Sequence, residues 1–285
     1  MKTIGFIGAG KVGTSLGCYF KRKGFEIAGY CSRNADHAAE AARLTDSVAF
    51  ANRLQLIEQS DLIWITISDD ALETCAEGIA AEITSLSIDN KTFLHASGVH
   101  SSSMLRSLAE KGFEVASAHP LLAFNEVEQA VVDLEKTSFA LEGNEEVITT
   151  LTRFFQQTGN QTFFINAEEK PLYHAAACML SNYLVTLFDT SCQMFGKAGM
   201  PEAITSSAAM TLLESVVGNL KRADAQDALT GPIKRGDRNT ISLHLQSIDK
   251  EMPEVADLYQ TLGRQTMKML NDFRLNELLE SESNE

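Results

Sequence analysis

The 285 residues are enough for about two domains of ~150 residues, each able to bury its own core. Apolar residues at 44% and charged residues at 22% exclude a disordered, collagenous or low-complexity chain. The 38 acidic and 24 basic residues, a net charge of -14, exclude a surface that gathers nucleic-acid phosphates or anionic lipids, so neither nucleic acid nor membrane is an expected partner. An anionic ligand therefore requires a locally built site.

Cys18, Cys31, Cys75, Cys178 and Cys192 are odd in number and contain no Cys-x-x-Cys pair, so free thiols in a reducing compartment are expected and no metal site. The apolar run at the start is too short for a signal-peptide core, and no segment reaches the ~20 apolar residues of a membrane span. A cytoplasmic location is the expectation.

Short β-branched or aromatic runs over 3–7, 25–30, 61–67, 91–95, 114–118, 138–141 and 161–165 predict strands. Between them, 12–23, 35–44, 71–86 and 145–157 predict helices. Alternation of this kind implies a mostly parallel, doubly wound sheet with helices on both faces. After Ile165 only helical patterns remain. One uninterrupted helix is predicted from Pro171 to about Lys197, followed by helices over 202–220, 241–250 and 255 to about 279, and a frayed acidic tail over 277–285. The expected organisation is an α/β domain over 1–165 and an all-α domain over 166–285.

The first strand runs directly into Gly8-Ala9-Gly10-Lys11-Val12-Gly13, a Gly-x-Gly-x-x-Gly that opens a helix. The first glycine allows the tight turn, the second lets backbone approach a pyrophosphate, and the third lets helix pack on strand. The helix N-terminus supplies unpaired N–H groups and partial positive charge. A dinucleotide is thus the expected ligand, held against an otherwise repulsive protein charge. At the end of the second strand, where NAD enzymes place an acid on the ribose 2′-OH, the chain has Ser32-Arg33-Asn34. One guanidinium and neutral donors suit a 2′-phosphate, so NADP(H) is expected, although Arg33 stacked on adenine or simply solvated would give the same residue here.

Ser68-Asp69-Asp70 follows a buried strand, His95-Ala96-Ser97-Gly98 the next strand, and His119-Pro120-Leu121 the one after. All three fall at the carboxyl edge where open α/β sheets bind ligands. Ser68 and Ser97 are expected near the cofactor, and Asp70 is expected to cap the following helix. On the long helix, at 100° per residue, Lys170, His174 and Ser181 fall within about 40° of one another, with Asn182 beside them. Such polar groups on an apolar helix predict a polar cleft, although a solvated Lys170 and a backbone-bonded Asn182 remain open. Thr230-Gly231-Pro232 and Arg235-Gly236-Asp237 interrupt the helical region, and Arg235 is a candidate clamp for a substrate carboxylate.

Together, the Gly-x-Gly-x-x-Gly turn with Ser32-Arg33-Asn34, the His95-Ala96-Ser97-Gly98 turn, His119-Pro120-Leu121, Tyr173-His174-Ala175-Ala176 with Ser181-Asn182, and Thr230-Gly231-Pro232 resemble the Rossmann-like plus DUF2520 oxidoreductases, from Lys2 to about Leu270. More distantly the chain is similar to pyrroline-5-carboxylate reductase, 6-phosphogluconate dehydrogenase and ketopantoate reductase. The resemblance implies an NADP-binding domain, a helical substrate domain, a homodimer through the C-terminal helices, and reduction of 2-dehydropantoate to pantoate. The Lys-x-x-x-Asn spacing of the hydroxyacid dehydrogenases is absent, because Lys170 is followed by His174.

The expected chemistry is hydride transfer from NADPH to the carbonyl of a small 2-oxo acid. Lys170 or His174 is the expected acid, with His119 a second candidate. Asn182, Ser97 and Ser181 would orient the substrate, and Arg235 would hold its carboxylate. Two alternatives stand beside it: imine reduction, which needs no strong acid, and a noncatalytic NADP-binding regulator.

Overall fold

The computed structural model describes residues 2–83 and 90–279. In chain order its first elements are β1 Ile4–Ile7, α1 Lys11–Arg22, β2 Ile27–Cys31, α2 Ala35–Thr45, β3 Val48–Ala49, α3 Arg53–Glu58, β4 Leu62–Ile65 and α4 Leu72–Ile83. Next come β5 Thr92–His95, α5 Arg106–Ala109, β6 Glu114–Pro120, α6 Val127–Asp133, β7 Phe139–Gly143, α7 Glu145–Thr158 and β8 Thr162–Phe164. The rest is helical: α8 Lys170–Leu180, α9 Asn182–Lys197, α10 Glu202–Leu220, α11 Ala225–Ala228, α12 Pro232–Arg235, α13 Arg238–Glu251, α14 Ala256–Leu270 and α15 Asn276–Leu279.

Among the described residues eight strands form one sheet in the order β3-β2-β1-β4-β5-β6-β7-β8, parallel throughout except where β7 runs antiparallel to β6. Chain direction across the sheet reverses between β1 and β4, which places a crevice at their carboxyl ends. The inner strands β1, β4 and β5 bury both faces, as parallel strands under two helix layers must, while the edge strands β3 and β8 are largely exposed. On β4, Leu62 and Trp64 join one core with Phe6, Tyr19, Phe20 and Phe155, while Ile63 and Ile65 join the other with Ile57, Ile79 and Phe93.

Packing divides the chain into Met1–Ser181 and Asn182–Glu285, so the first unit extends beyond the sequence-based boundary at 165. The reason is local. The helix predicted as continuous from Pro171 is two helices, interrupted at Ser181 (φ -113°, ψ -80°), and α8 packs with the sheet. Lys170 and Asn182 therefore lie on different helices, and the stripe projected through Ser181 at 100° per residue stops there. The last predicted helix is also divided, because Asn271 ends α14 in the left-handed region (φ 53°). The predicted helix over 71–86 starts after a tight turn at Asp69–Ala71 and is described to Ile83; positions 84–86, and 280–285 of the tail, lie outside the described residues.

The second unit has small cores around Ile241 and Met267 and around Ile248 and Met252. It leaves Tyr183, Val185, Leu212 and Val216 on α9 and α10 largely exposed. Among the described residues no helix is long and apolar enough to cross a membrane.

Candidate active site

The turn after β1 is shaped by three different glycine requirements. Gly8 has φ +108°, and a Cβ there would meet the Thr66 carbonyl oxygen at 2.5 Å. A Cβ at Gly13 would meet Thr66 Oγ1 at 2.3 Å and Gly8 O at 2.6 Å, so only glycine lets α1 approach β4 this closely. At Gly10 the same construction meets nothing within 4 Å, leaving open space in front of the helix N-terminus. No side chain caps α1 and no acid occupies its first turn. The N–H groups of that turn are therefore free for an anion.

Beside the turn lies a cavity of about 710 Å³ lined by Gly8, Gly10, Ser32, Arg33, Arg53 and Ser68, among others. Of the predicted cofactor residues, Gly8, Ala9, Gly10, Ser32, Arg33 and Ser68 line it; Lys11, Val12, Gly13, Asn34 and Ser97 do not. Arg33 is exposed and, among the described residues, held by no hydrogen bond or ion pair. Asn34 is otherwise engaged: its side-chain oxygen accepts from Asp36 N–H and His37 N–H as the cap of α2. Open backbone donors, a free guanidinium and a cavity of this size fit a phosphorylated dinucleotide.

Along the same edge, the register sets Ile7 beside Ile65, Ile65 beside His95 and His95 beside Ser117, so that His119 stands one pleat beyond. His95 is fully buried. Its Nδ1 accepts from Ser97 N–H and its Nε2 faces Ser101 O at 2.9 Å, which fixes the proton on Nε2. Burial pushes its pKa down to about 4. Ser97 is spent within the turn, its hydroxyl donating to Asp69 Oδ2 (2.9 Å) and accepting from His100 N–H.

Lys170 is fully buried beneath this turn, its Nζ donating to Ser97 O (3.1 Å) and Ser117 Oγ (2.7 Å). The solvated reading of this lysine is thus corrected. Desolvation lowers its pKa to about 8 against the pull of Glu142 and Asp69. Its ammonium braces the turn from below and meets no open surface.

Beside the turn stands a half-buried ring cluster from β6 and α8. His119 Nδ1 lies 2.8 Å from Tyr173 Oη, and the His119 and His174 rings stand perpendicular at 5.8 Å. A Cβ on Gly98 would meet His174 Nδ1 at 2.4 Å and His119 Nε2 at 2.9 Å. Both nitrogens therefore aim at the space that glycine leaves. His174 Nδ1 is buried and has no hydrogen-bond partner among the described residues, while its Nε2 faces Cys178 Sγ at 3.7 Å. Burial, reinforced by the Lys170 cation and the neighbouring imidazoles, drives the His119 pKa down to about 3. Burial also raises the Tyr173 phenol to about 12. At neutral pH this pair consists of an uncharged imidazole and an intact phenol.

Ser181 Oγ donates back to Ala177 O (2.8 Å). Asn182 opens α9 in the second unit, where Arg235 is exposed with Asp237 at 4.0 Å. Asp70 lies within the 3₁₀ turn, whose cap position is Ser68, rather than capping α4. Sequence reasoning missed Ser117 and Arg53, and named Asp69 and Tyr173 only within motifs, without giving either a role. The signal for Tyr173 was its place beside His174, whereas Ser117 was hidden inside an apolar strand.

Residues 1–120 match the Rossmann-like domain and residues 137–266 the domain of unknown function DUF2520. No curated protein matches the chain. Among solved structures, a candidate NADP oxidoreductase from Bacteroides fragilis is similar at 22% identity and TM-score 0.73, covering 94% of this chain and 98% of its own. A Thermotoga maritima protein is similar at 25% identity, TM-score 0.73 and the same coverages. Plasmodium falciparum pyrroline carboxylate reductase with NADP bound is similar at 13% identity and TM-score 0.64, with 96% of this chain and 97% of that one covered. The two domain models thus match successive segments of the chain, the Rossmann-like one before the DUF2520 one.

Proposed function

We propose that this chain is an NADPH-dependent reductase of a small carboxylated imine. The observation that carries the reading is the phosphate cradle: open space at Gly10 before an uncapped, acid-free helix N-terminus, with Arg33 unpaired at the same cavity. NADP bound to the similar Plasmodium reductase supports the cofactor, and its pyrroline carboxylate substrate class supports a C=N bond. NADPH, when bound, supplies the hydride.

The chain's own contribution is positional. Gly8 to Gly13 would hold the pyrophosphate through N–H groups, and Arg33 the 2′-phosphate. His119 Nε2 and His174 Nδ1 would flank the reacting group, with Lys170 and Ser97 fixing the turn that carries Gly98. The imidazole of His119, with a pKa near 3, is uncharged at neutral pH and so is no strong acid. A substrate that arrives already protonated, as an iminium does, needs none.

The second reading is reduction of a 2-oxo acid such as 2-dehydropantoate, favoured by the Tyr173–His119 pair, whose phenol proton is available to a developing alkoxide. In both readings Arg235 is proposed as the clamp for a substrate carboxylate and Asn182 as an orienting group. We also infer a homodimer through the C-terminal helices, supported by the exposed apolar side chains of α9 and α10. Sedimentation at several concentrations tests it, and a monomer throughout would overturn it.

The function itself is tested by an NADPH-oxidation screen with cyclic imines, 2-dehydropantoate and other 2-oxo acids. Turnover of imines alone supports the first reading, and of oxo acids alone the second. Tight NADPH binding with no turnover across the panel would instead point to a noncatalytic regulator.

A further inference from the structure

Arg53, at the start of α3, is unlike Arg33, the other cation lining the cofactor cavity. Its Nε–H and Nη2–H donate to the two carboxylate oxygens of Glu82 at 2.9 and 2.5 Å, a bidentate pair that fixes the guanidinium plane and cancels its charge. Gly78 makes room for it. A Cβ at 78 would stand 2.7 Å from Nη2 and 3.5 Å from Cζ, so any side chain there would displace the guanidinium. The same guanidinium lines the cavity that begins at the Gly8–Gly10 turn, among Ile67, Ala71 and Cys75, which are apolar or weakly polar. Arg33, by contrast, lines the cavity with its charge uncompensated.

A neutralised, rigid, planar cation set among apolar groups is poorly suited to a phosphate and well suited to the π-face of a purine. We propose that Arg53, clamped by Glu82 and accommodated by Gly78, is the stacking platform for the adenine ring of the dinucleotide, and that charge recognition of its phosphate is left to Arg33. This rests on the cofactor reading above but makes a separate demand: the contribution of Arg53 is common to every adenine nucleotide and indifferent to the 2′-phosphate.

The test is calorimetric titration of full-length protein with 5′-AMP, adenosine 2′,5′-bisphosphate and nicotinamide mononucleotide, with no turnover involved. Arg53→Ala is expected to weaken both adenine nucleotides by the same ~10-fold factor, the worth of one base stack. Nicotinamide mononucleotide, lacking adenine, should bind as before, which also shows the variant to be folded. Arg53→Lys keeps the charge but not the plane and should fail to restore affinity, while Glu82→Gln, which loosens the clamp, should fall between Arg53→Ala and wild type. Unchanged affinity in Arg53→Ala, a loss confined to the bisphosphate, or full rescue by lysine would overturn the proposal. Wild-type protein that binds neither adenine nucleotide would overturn it together with the cofactor reading. Adenine binding that depends on Arg53 in a protein that oxidises no NADPH would uphold the platform and sink only the reductase.

Discussion

Two places on one sheet edge are prepared for a ligand in opposite ways. At the turn from Gly8 to Gly13 the ligand-facing groups are backbone N–H donors with nothing in front of them, and the glycines serve to clear space. Around Gly98 the groups are side chains from β6 and α8, and a buried network of Lys170, Ser97, Ser117 and Asp69 lies behind them. The turn is a donor set kept empty by small residues. The ring cluster is a constellation whose positions are held by bonds among its own members and their supports. One should tolerate side-chain changes that leave the backbone alone, and the other should respond to the removal of single atoms.

The largest effect should come from closing the cradle. Gly13→Val drives a side chain into Thr66 Oγ1 and Gly8 O, so NADPH binding measured by fluorescence titration should fall at least ~100-fold, an expectation of about 2.7 kcal/mol or more. Near wild-type affinity would remove the turn from the cofactor site.

At the ring cluster, Tyr173→Phe deletes one oxygen. If the phenol protonates an alkoxide, kcat for a 2-oxo acid should drop ~10²-fold, while imine turnover should change little. An equal loss on both substrates would mean that the phenol only positions His119.

Stability against pH reads the buried network. His119 and His95 titrate near 3 and 4 in the fold against 6.5 ordinarily, so the unfolded chain binds more protons in that window and stability is lost as pH falls from about 6.5. Lys170 titrates near 8 against 10.5, so by the same rule its share of stability rises with pH between those values. His119→Gln should flatten the acid limb by up to about 5 kcal/mol and Lys170→Met the alkaline one by up to about 3.5 kcal/mol in denaturant titrations, at roughly 1.4 kcal/mol per pKa unit. Limbs that keep their slope in these variants would place the titrations elsewhere.

The smallest effect is one of selectivity. Arg33→Ala should reduce a preference for NADPH over NADH by about tenfold, the equivalent of 1.4 kcal/mol. An unaltered preference would leave the 2′-phosphate without its expected partner.

The cradle was legible in the sequence because its function resides in glycines, whose spacing survives without knowledge of the fold. Strand alternation likewise carried the sheet. The ring cluster was half legible: His119 and His174 stand out as histidines, but Tyr173 and Ser117 acquire meaning only when β6 and α8 meet. The helix break at Ser181 had no proline or glycine to announce it, and helical periodicity carried the reading across it. Arg53 was missed because an arginine at the start of a short helix looks solvated until Gly78 and Glu82 come round to it from α4.

Lys170 has one more consequence. An amine with a pKa near 8 reacts readily with acylating reagents at mildly alkaline pH, yet this one has no exposed surface. Its modification must wait for the Ser97 turn and α8 to separate, so its labelling rate is a clock for local opening of the ring cluster, set against the exposed lysines of the same chain as internal standards.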